Sequence, residues 1–167
     1  MTTEIRPVHA SDSPRLAAIY NHYILRTTVS FEEDPVTPSE MEARITATVG
    51  DGFPWLVAAE GEDILGYAYA TQWKRRSGYR FAAESTVYLD PTRTGQGLGP
   101  RLYDQLIPIL QSKGVHTVIA GIALPNAASV SFHERAGFTK TAHFREVGFK
   151  LGQWVDVGYW QRMLQEQ

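Results

Sequence analysis

The sequence contains no cysteine. That absence removes disulfides, thiolate metal sites and a thiol nucleophile, and it suits a reducing compartment. No apolar run approaches the roughly 20 residues of a membrane-spanning helix. The first residues, Met-Thr-Thr-Glu-Ile-Arg, offer neither an apolar signal core nor a basic leader. A cytoplasmic protein is expected. Neither sign of charge dominates, and the net charge of −2 gives no reason to expect nucleic acid or an anionic membrane as partner. Repeats, low-complexity tracts and Pro/Gly/Ser-rich linkers are also missing, so residues 1–167 are expected to form a single domain. A chain of this size buries a core without help from metals. His9, His22, His116 and His143 show no ligand spacing, and no metal is expected.

What is present is a regular alternation of element signals. Glu4 to Val8 reads as a short strand. Ser11-Asp12-Ser13-Pro14 supplies cap oxygens and a first-turn proline, and Leu16, Ile19, Tyr20, Tyr23 and Ile24 follow at helical spacing. Thr37-Pro38-Ser39-Glu40 opens a second helix carrying Met41, Ile45 and Val49. Trp55 to Ala59 and Ile64 to Gln72 flank a polar turn and read as a hairpin. A further strand spans Arg80 to Leu89. A helix from about Leu98 to Lys113 is closed by Gly114, with a kink expected at Pro108. Val115 to Ile122 is a buried-type strand, Asn126 to Arg135 a helix, and Phe138 to Phe149 and Trp154 to Met163 are closing strands. The expected class is α/β (α+β), in the order strand, two helices, three strands, helix, strand, helix, two strands.

Thr92-Arg93-Thr94-Gly95-Gln96-Gly97-Leu98-Gly99 lies between a strand and a helix. Glycines let a backbone approach an anion closely, and free N–H groups at a helix start favour phosphate. A Walker loop needs a Gly-Lys-Ser/Thr ending that is absent. A dinucleotide fingerprint counted from Gly95 requires glycine where Pro100 stands, and counted from Gly97 it meets Leu102. Both nucleotide readings fail, leaving another phosphate ligand or a plain glycine turn.

The stretch from Glu84 to Leu102, together with Asn126 and Ser-Phe-His-Glu-Arg-Ala-Gly-Phe ending at Phe138, resembles the coenzyme A motif of the GNAT-type N-acetyltransferases. Within that family the chain is most similar to the phosphinothricin acetyltransferases. Thr28-Val29-Ser30-Phe31, Trp73-Lys74-Arg75-Arg76, Tyr79, Leu124-Pro125-Asn126, Phe132-His133-Glu134, Val147-Gly148-Phe149-Lys150 and Asp156 to Gln161 carry that likeness. The resemblance implies a mixed, mostly antiparallel central sheet flanked by helices and splayed at an acetyl-CoA site. It implies that the amides of Thr94, Gly95, Gln96, Gly97, Leu98 and Gly99 hold a pyrophosphate. The backbone of Val87, Tyr88 and Leu89 would pair with the pantetheine arm, with Asn126 beside it. Thr94 departs from the pattern, which prefers Gln or Arg there. A homodimer is also implied by the family.

Acetyl transfer to an amine needs a base, a donor to the oxyanion and a proton for the thiolate. Glu84, in an otherwise small and apolar strand, is the candidate base, since desolvation raises a carboxylate toward useful basicity. A solvent-facing strand glutamate is the alternative. His133 stands where many of these enzymes have tyrosine, and both proton donor and auxiliary base stay open beside a helix-surface histidine. Lys74, Arg76 and Tyr79 match, by resemblance, the site for an anionic acceptor, and Phe31 a pocket wall. The same cluster with Arg75 and Arg80 also reads as solvated basic surface. The expected activity is acetyl transfer from acetyl-CoA to a small, acidic, amino-acid-like amine in a ternary complex. The competing readings are an acetyltransferase for a protein N-terminus or polyamine, and a non-catalytic coenzyme A sensor.

Overall fold

The computed structural model describes residues 2–164. The chain forms β1 (Glu4–Pro7), α1 (Ser13–Arg26), α2 (Pro38–Gly50), β2 (Trp55–Glu60), β3 (Asp63–Gln72), β4 (Ala82–Leu89), α3 (Leu98–Ser112), β5 (Thr117–Leu124), α4 (Ala127–Arg135), β6 (Thr139–Lys150) and β7 (Gln153–Met163). The element order is the expected one. The strands make one sheet in the order β1-β2-β3-β4-β5-β7-β6. Every neighbouring pair is antiparallel except β4 with β5.

Helices cover both faces. α3 lays Leu98, Leu102, Leu106 and Leu110 on one face, against Ala68, Ala70, Ala83, Val118, Ala120 and Trp160. The small residues of β3 and β4 let this helix approach closely. α1 and α2 bury Leu16, Ile19, Ile24, Met41 and Ile45 on the other face, against Trp55, Val57 and Tyr67. β2 contributes alternate residues to both cores, which is why Trp55 to Ala59 is apolar throughout.

Local starts follow the side-chain chemistry with some exceptions. Thr37 caps α2 reciprocally, its Oγ1 accepting from Glu40 N at 3.1 Å while Glu40 accepts from Thr37 N at 2.7 Å. At α1 the expected cap differs. Asp12 makes no cap hydrogen bond, because its carboxylate accepts both guanidinium nitrogens of Arg6 at 2.9 Å and the His9 N–H at 2.7 Å. Val49, expected on the buried face of α2, is 50% exposed, and Thr48 takes the inward place in the last turn. β4 begins at Ala82 rather than Arg80, since Ser77–Tyr79 form a 3-10 turn that carries Arg80 outward. α3 continues through Pro108 as a single helix.

Leu106 is fully buried under the sheet, so Leu106→Ala is expected to cost about 2–5 kcal/mol by lost transfer energy and a residual cavity. Urea unfolding checks this: the midpoint should fall with the slope unchanged.

Candidate active site

The central feature is where β4 and β5 part. Their parallel pairing runs only through Ala82↔Thr117, Ala83↔Val118 and Glu84↔Ile119. Beyond that point β4 stays bonded to β3 as far as Leu89, and β5 stays bonded to β7 as far as Leu124. Each strand keeps its outer partner and loses its inner one, so a wedge with unpaired backbone edges opens after Glu84. A cavity of ≈ 160 Å³ fills the wedge, lined on one side by residues 84–88 and on the other by 120–123, with Val29, Asn126, Ser129 and His133. A larger cavity of ≈ 360 Å³ lies between α3, α4 and Arg162. Neither Glu84 nor the parted strands line it, so the smaller one is the candidate site.

At the wide end of the wedge stands the glycine loop. Gly95 and Gly97 both adopt φ of +74°, a region closed to most side chains, and Gly97 precedes the first turn of α3. Among the described residues, no hydrogen bond occupies the backbone N–H groups from Thr94 to Gly99. The first such bond of α3 runs from Arg101 N to Gly97 O. The loop is held from below. The Asp90 carboxylate accepts from Thr92 N at 2.8 Å and Thr92 Oγ1 at 2.7 Å, and it pairs with Arg15. Burial pushes this carboxyl up, but the Thr92 and Arg15 contacts hold it below the usual range. Arg93 adds bonds to Glu60 at 3.0 Å and to Gln96 at 3.1 Å. Free donors on a braced loop at a helix start form an anion cradle.

Glu84 is the last paired residue before the wedge. Burial raises its carboxyl above the ordinary glutamate range, and the Lys74 ammonium partly offsets this. No side-chain hydrogen bond to another described residue engages it. His133 is 3% exposed. Its Nδ1 lies 2.8 Å from the Ser129 carbonyl, which can only accept, so Nδ1 carries the proton. Nε2 therefore accepts from the Tyr103 hydroxyl at 3.0 Å, and Tyr103 in turn lies 2.9 Å from Ser85 Oγ. Burial lowers the His133 pKa against the Ser129 carbonyl and raises that of Tyr103, so the chain rests neutral.

The remaining expected residues divide. Val87, Tyr88 and Asn126 line the cavity. Asn126 also caps α4, accepting from Ser129 N at 3.2 Å. Leu89 lies past the cavity with its carbonyl engaged by the Tyr23 phenol. Lys74 sits over the Trp73 ring at 4.7 Å, close enough to Glu84 to act on it. Phe31 packs on Gly148 beside Val29, while Arg76 and Tyr79 stand on the exposed turn before β4. None of these four substrate candidates lines the cavity itself. Sequence reasoning missed Ser85, Tyr103, Val29, Asp90 and Arg15. Val29, Ser85 and Asp90 lie within the stretches that carry the family resemblance, which gave them no individual role.

An acetyltransferase (GNAT) domain model matches residues 5–158. The chain belongs to the GNAT acetyltransferase family, and it is an acetyl-CoA-dependent N-acetyltransferase. It is 42% identical over 159 residues to the phosphinothricin N-acetyltransferase of Streptomyces viridochromogenes, covering 95% of this chain and 86% of that one. It is 36% identical over 162 residues to the L-methionine sulfoximine/L-methionine sulfone acetyltransferase of Salmonella typhimurium, covering 97% and 95%. The crystal structure of a phosphinothricin acetyltransferase from Sinorhizobium meliloti in complex with acetyl-CoA superposes with a TM-score of 0.94 at 33% identity, over 98% of this chain and 89% of that one.

The Lys74–Glu84 interaction gives a direct check. In a carboxyl-carbon NMR titration, Glu84 should titrate above the ordinary glutamate range, and Lys74→Met should move its midpoint higher still, because the charge opposing protonation is gone.

Proposed function

We propose that residues 1–167 form one N-acetyltransferase domain that acetylates the amine of a small anionic amino-acid analogue of the phosphinothricin or methionine sulfoximine kind. The reaction is direct attack in a ternary complex. The observation that carries this is the wedge: free backbone edges, an anion cradle at its mouth and a desolvated carboxylate at its apex.

In this reading the amides from Thr94 to Gly99 hold the diphosphate of acetyl-CoA, and Val87, Tyr88 and Leu89 with Asn126 flank the pantetheine arm. The thioester supplies the acetyl group and a thiolate leaving group. Glu84 accepts the proton of the attacking amine, directly or through one water, and its raised pKa suits that task. His133 acts as an auxiliary base rather than a resting proton donor, because the Ser85–Tyr103–His133 chain is oriented toward Nε2. Lys74, Arg76 and Tyr79 receive the acceptor's anionic end and Phe31 its apolar body. An arginine fork and an ammonium suit carboxylate or phosphinate oxygens and disfavour a polyamine.

We also assign a homodimeric state. β6 is a sheet edge, and Phe149, Leu151 and Trp154 around its turn into β7 are 56%, 58% and 64% exposed. A cytoplasmic location is part of the same proposal, in keeping with an acetyl-CoA-dependent reaction.

The test is an acceptor panel with acetyl-CoA, read as released thiol: phosphinothricin, methionine sulfoximine, methionine sulfone, spermidine and an alanine-initiated peptide. Anionic analogues should be acetylated preferentially. Turnover of the peptide or spermidine alone would overturn the reading. Glu84→Gln should lower kcat about 100-fold or more, the usual scale for a general base, with acetyl-CoA affinity retained. Arg76→Ala should raise KM for phosphinothricin about tenfold or more, the scale of one lost charge-assisted contact, while acetyl-CoA binding stays within twofold. Equal weakening toward both ligands would argue against an acceptor clamp.

A further inference from the structure

Residues 27–36, between α1 and α2, form no helix or strand, yet Val29 lines the cavity and Phe31 follows two residues later. A segment without a backbone ladder must be fastened by side chains. Glu32 is held by both guanidinium nitrogens of Arg44 at 2.9 and 2.6 Å, and by the Tyr20 phenol. Asn21 brackets Val36, donating to its carbonyl at 2.9 Å and accepting from its N–H at 2.7 Å. These contacts secure the far half of the segment. The near half, Val29 to Phe31, is tied locally by the Thr27 hydroxyl, which accepts from Val29 N at 3.2 Å, and by the Ser30 hydroxyl, and it is gripped from outside by β6.

Lys150, the last residue of β6, is 2% exposed. Its ammonium donates to the carbonyl of Ser30 and, at 3.3 Å, to that of Tyr23 in the last turn of α1. Tyr23 O lies at the negative end of that helix, where a cation is favoured. Ser30 separates Val29 from Phe31, and its own hydroxyl lies 2.9 Å from the Tyr20 phenol. The same strand touches the segment again two residues earlier. A Cβ on Gly148 would lie 2.3 Å from Cζ of Phe31, so only glycine lets that ring lie where it does.

A buried lysine is ordinarily paired with a carboxylate. Lys150 forms no ion pair among the described residues. Glu33 and Glu32 act on it only at longer range, and burial lowers its pKa. Its hydrogen bonds go to two backbone oxygens, and one of them, Ser30 O, directly follows Val29 of the cavity wall.

We propose that Lys150 is a positioning residue for acceptor binding: by gripping the Ser30 carbonyl it fixes Val29 in the wall of the cavity that Glu84 also lines, and Phe31 on the other side of Ser30. The inference rests on the assignment of that side of the cavity to the acceptor.

The test compares Lys150→Met and Gly148→Ala with the parent protein, using phosphinothricin as acceptor. Lys150→Met should raise acceptor KM about tenfold or more, with acetyl-CoA affinity by calorimetry within twofold. Gly148→Ala keeps the ammonium but displaces Phe31, and should raise acceptor KM likewise. Unchanged acceptor KM in folded Lys150→Met, or equal losses for both ligands, overturns the proposal. Should Lys150→Met fail to fold, an unchanged acceptor KM in Gly148→Ala overturns it instead. Amide hydrogen exchange at residues 28–32, measured without acceptor, reads the fastening itself and should speed up in Lys150→Met. Faster exchange with no acceptor effect would sink the acceptor assignment, and unaltered exchange would sink the clamp.

Discussion

Beyond Glu84 and Ile119 the two central strands no longer bond to each other, and the site is built around that break. Buried peptide groups left without partners are costly, so an opening of this kind persists only where something else satisfies them. The antiparallel ladders to β3 and β7 keep both strands extended while their inner edges diverge. The wedge is thus a rigid feature of the sheet. Its apex fixes Glu84 between the two faces, and its mouth faces the start of α3.

The parting also sorts the chemistry by face. Alternation along β4 sends Ser85 toward α3, where Tyr103 and His133 complete a neutral buried chain. It sends Tyr88 toward α1, into an aromatic cluster with Tyr20, Tyr23 and Tyr67. Glu84 shares that second side and feels Lys74. A one-residue slip of β4 would exchange the two sets and put a carboxylate among the leucines of α3. The bonds from Asp90 and Arg93 add a second constraint, since a loop already braced loses little freedom when its donors are engaged.

Element order, the glycine loop and the capping box of α2 were legible because each rests on local chemistry at fixed spacing. The boundaries that shifted did so for tertiary reasons. Asp12 keeps the N-cap position of α1 but makes no capping bond, because Arg6 on β1 reaches its carboxylate, and Val49 turned outward as α2 ended. Within the site, Glu84 stood out as a carboxylate in a small, apolar strand, and His133 by its place in the family resemblance. Tyr103 did not, because an aromatic at helical spacing reads as core, and Ser85 reads as one more small strand residue. Lys150 was hidden most deeply. A lysine ending an edge strand reads as solvent-facing, and only the packed segment between α1 and α2 turns that position inward.

In the proposed reading, the free amides from Thr94 to Gly99 grip the acetyl-CoA diphosphate at the mouth of the wedge. Calorimetry of acetyl-CoA beside S-acetylpantetheine, which lacks the diphosphate and its nucleotide, with S-acetyl-4′-phosphopantetheine to separate the phosphate from the nucleotide, checks this. Acetyl-CoA should bind saturably, and the truncated thioester at least about 100-fold more weakly, the loss expected from one or two charge-assisted hydrogen bonds. Equal affinities, or no saturable binding of acetyl-CoA by folded protein, would contradict it.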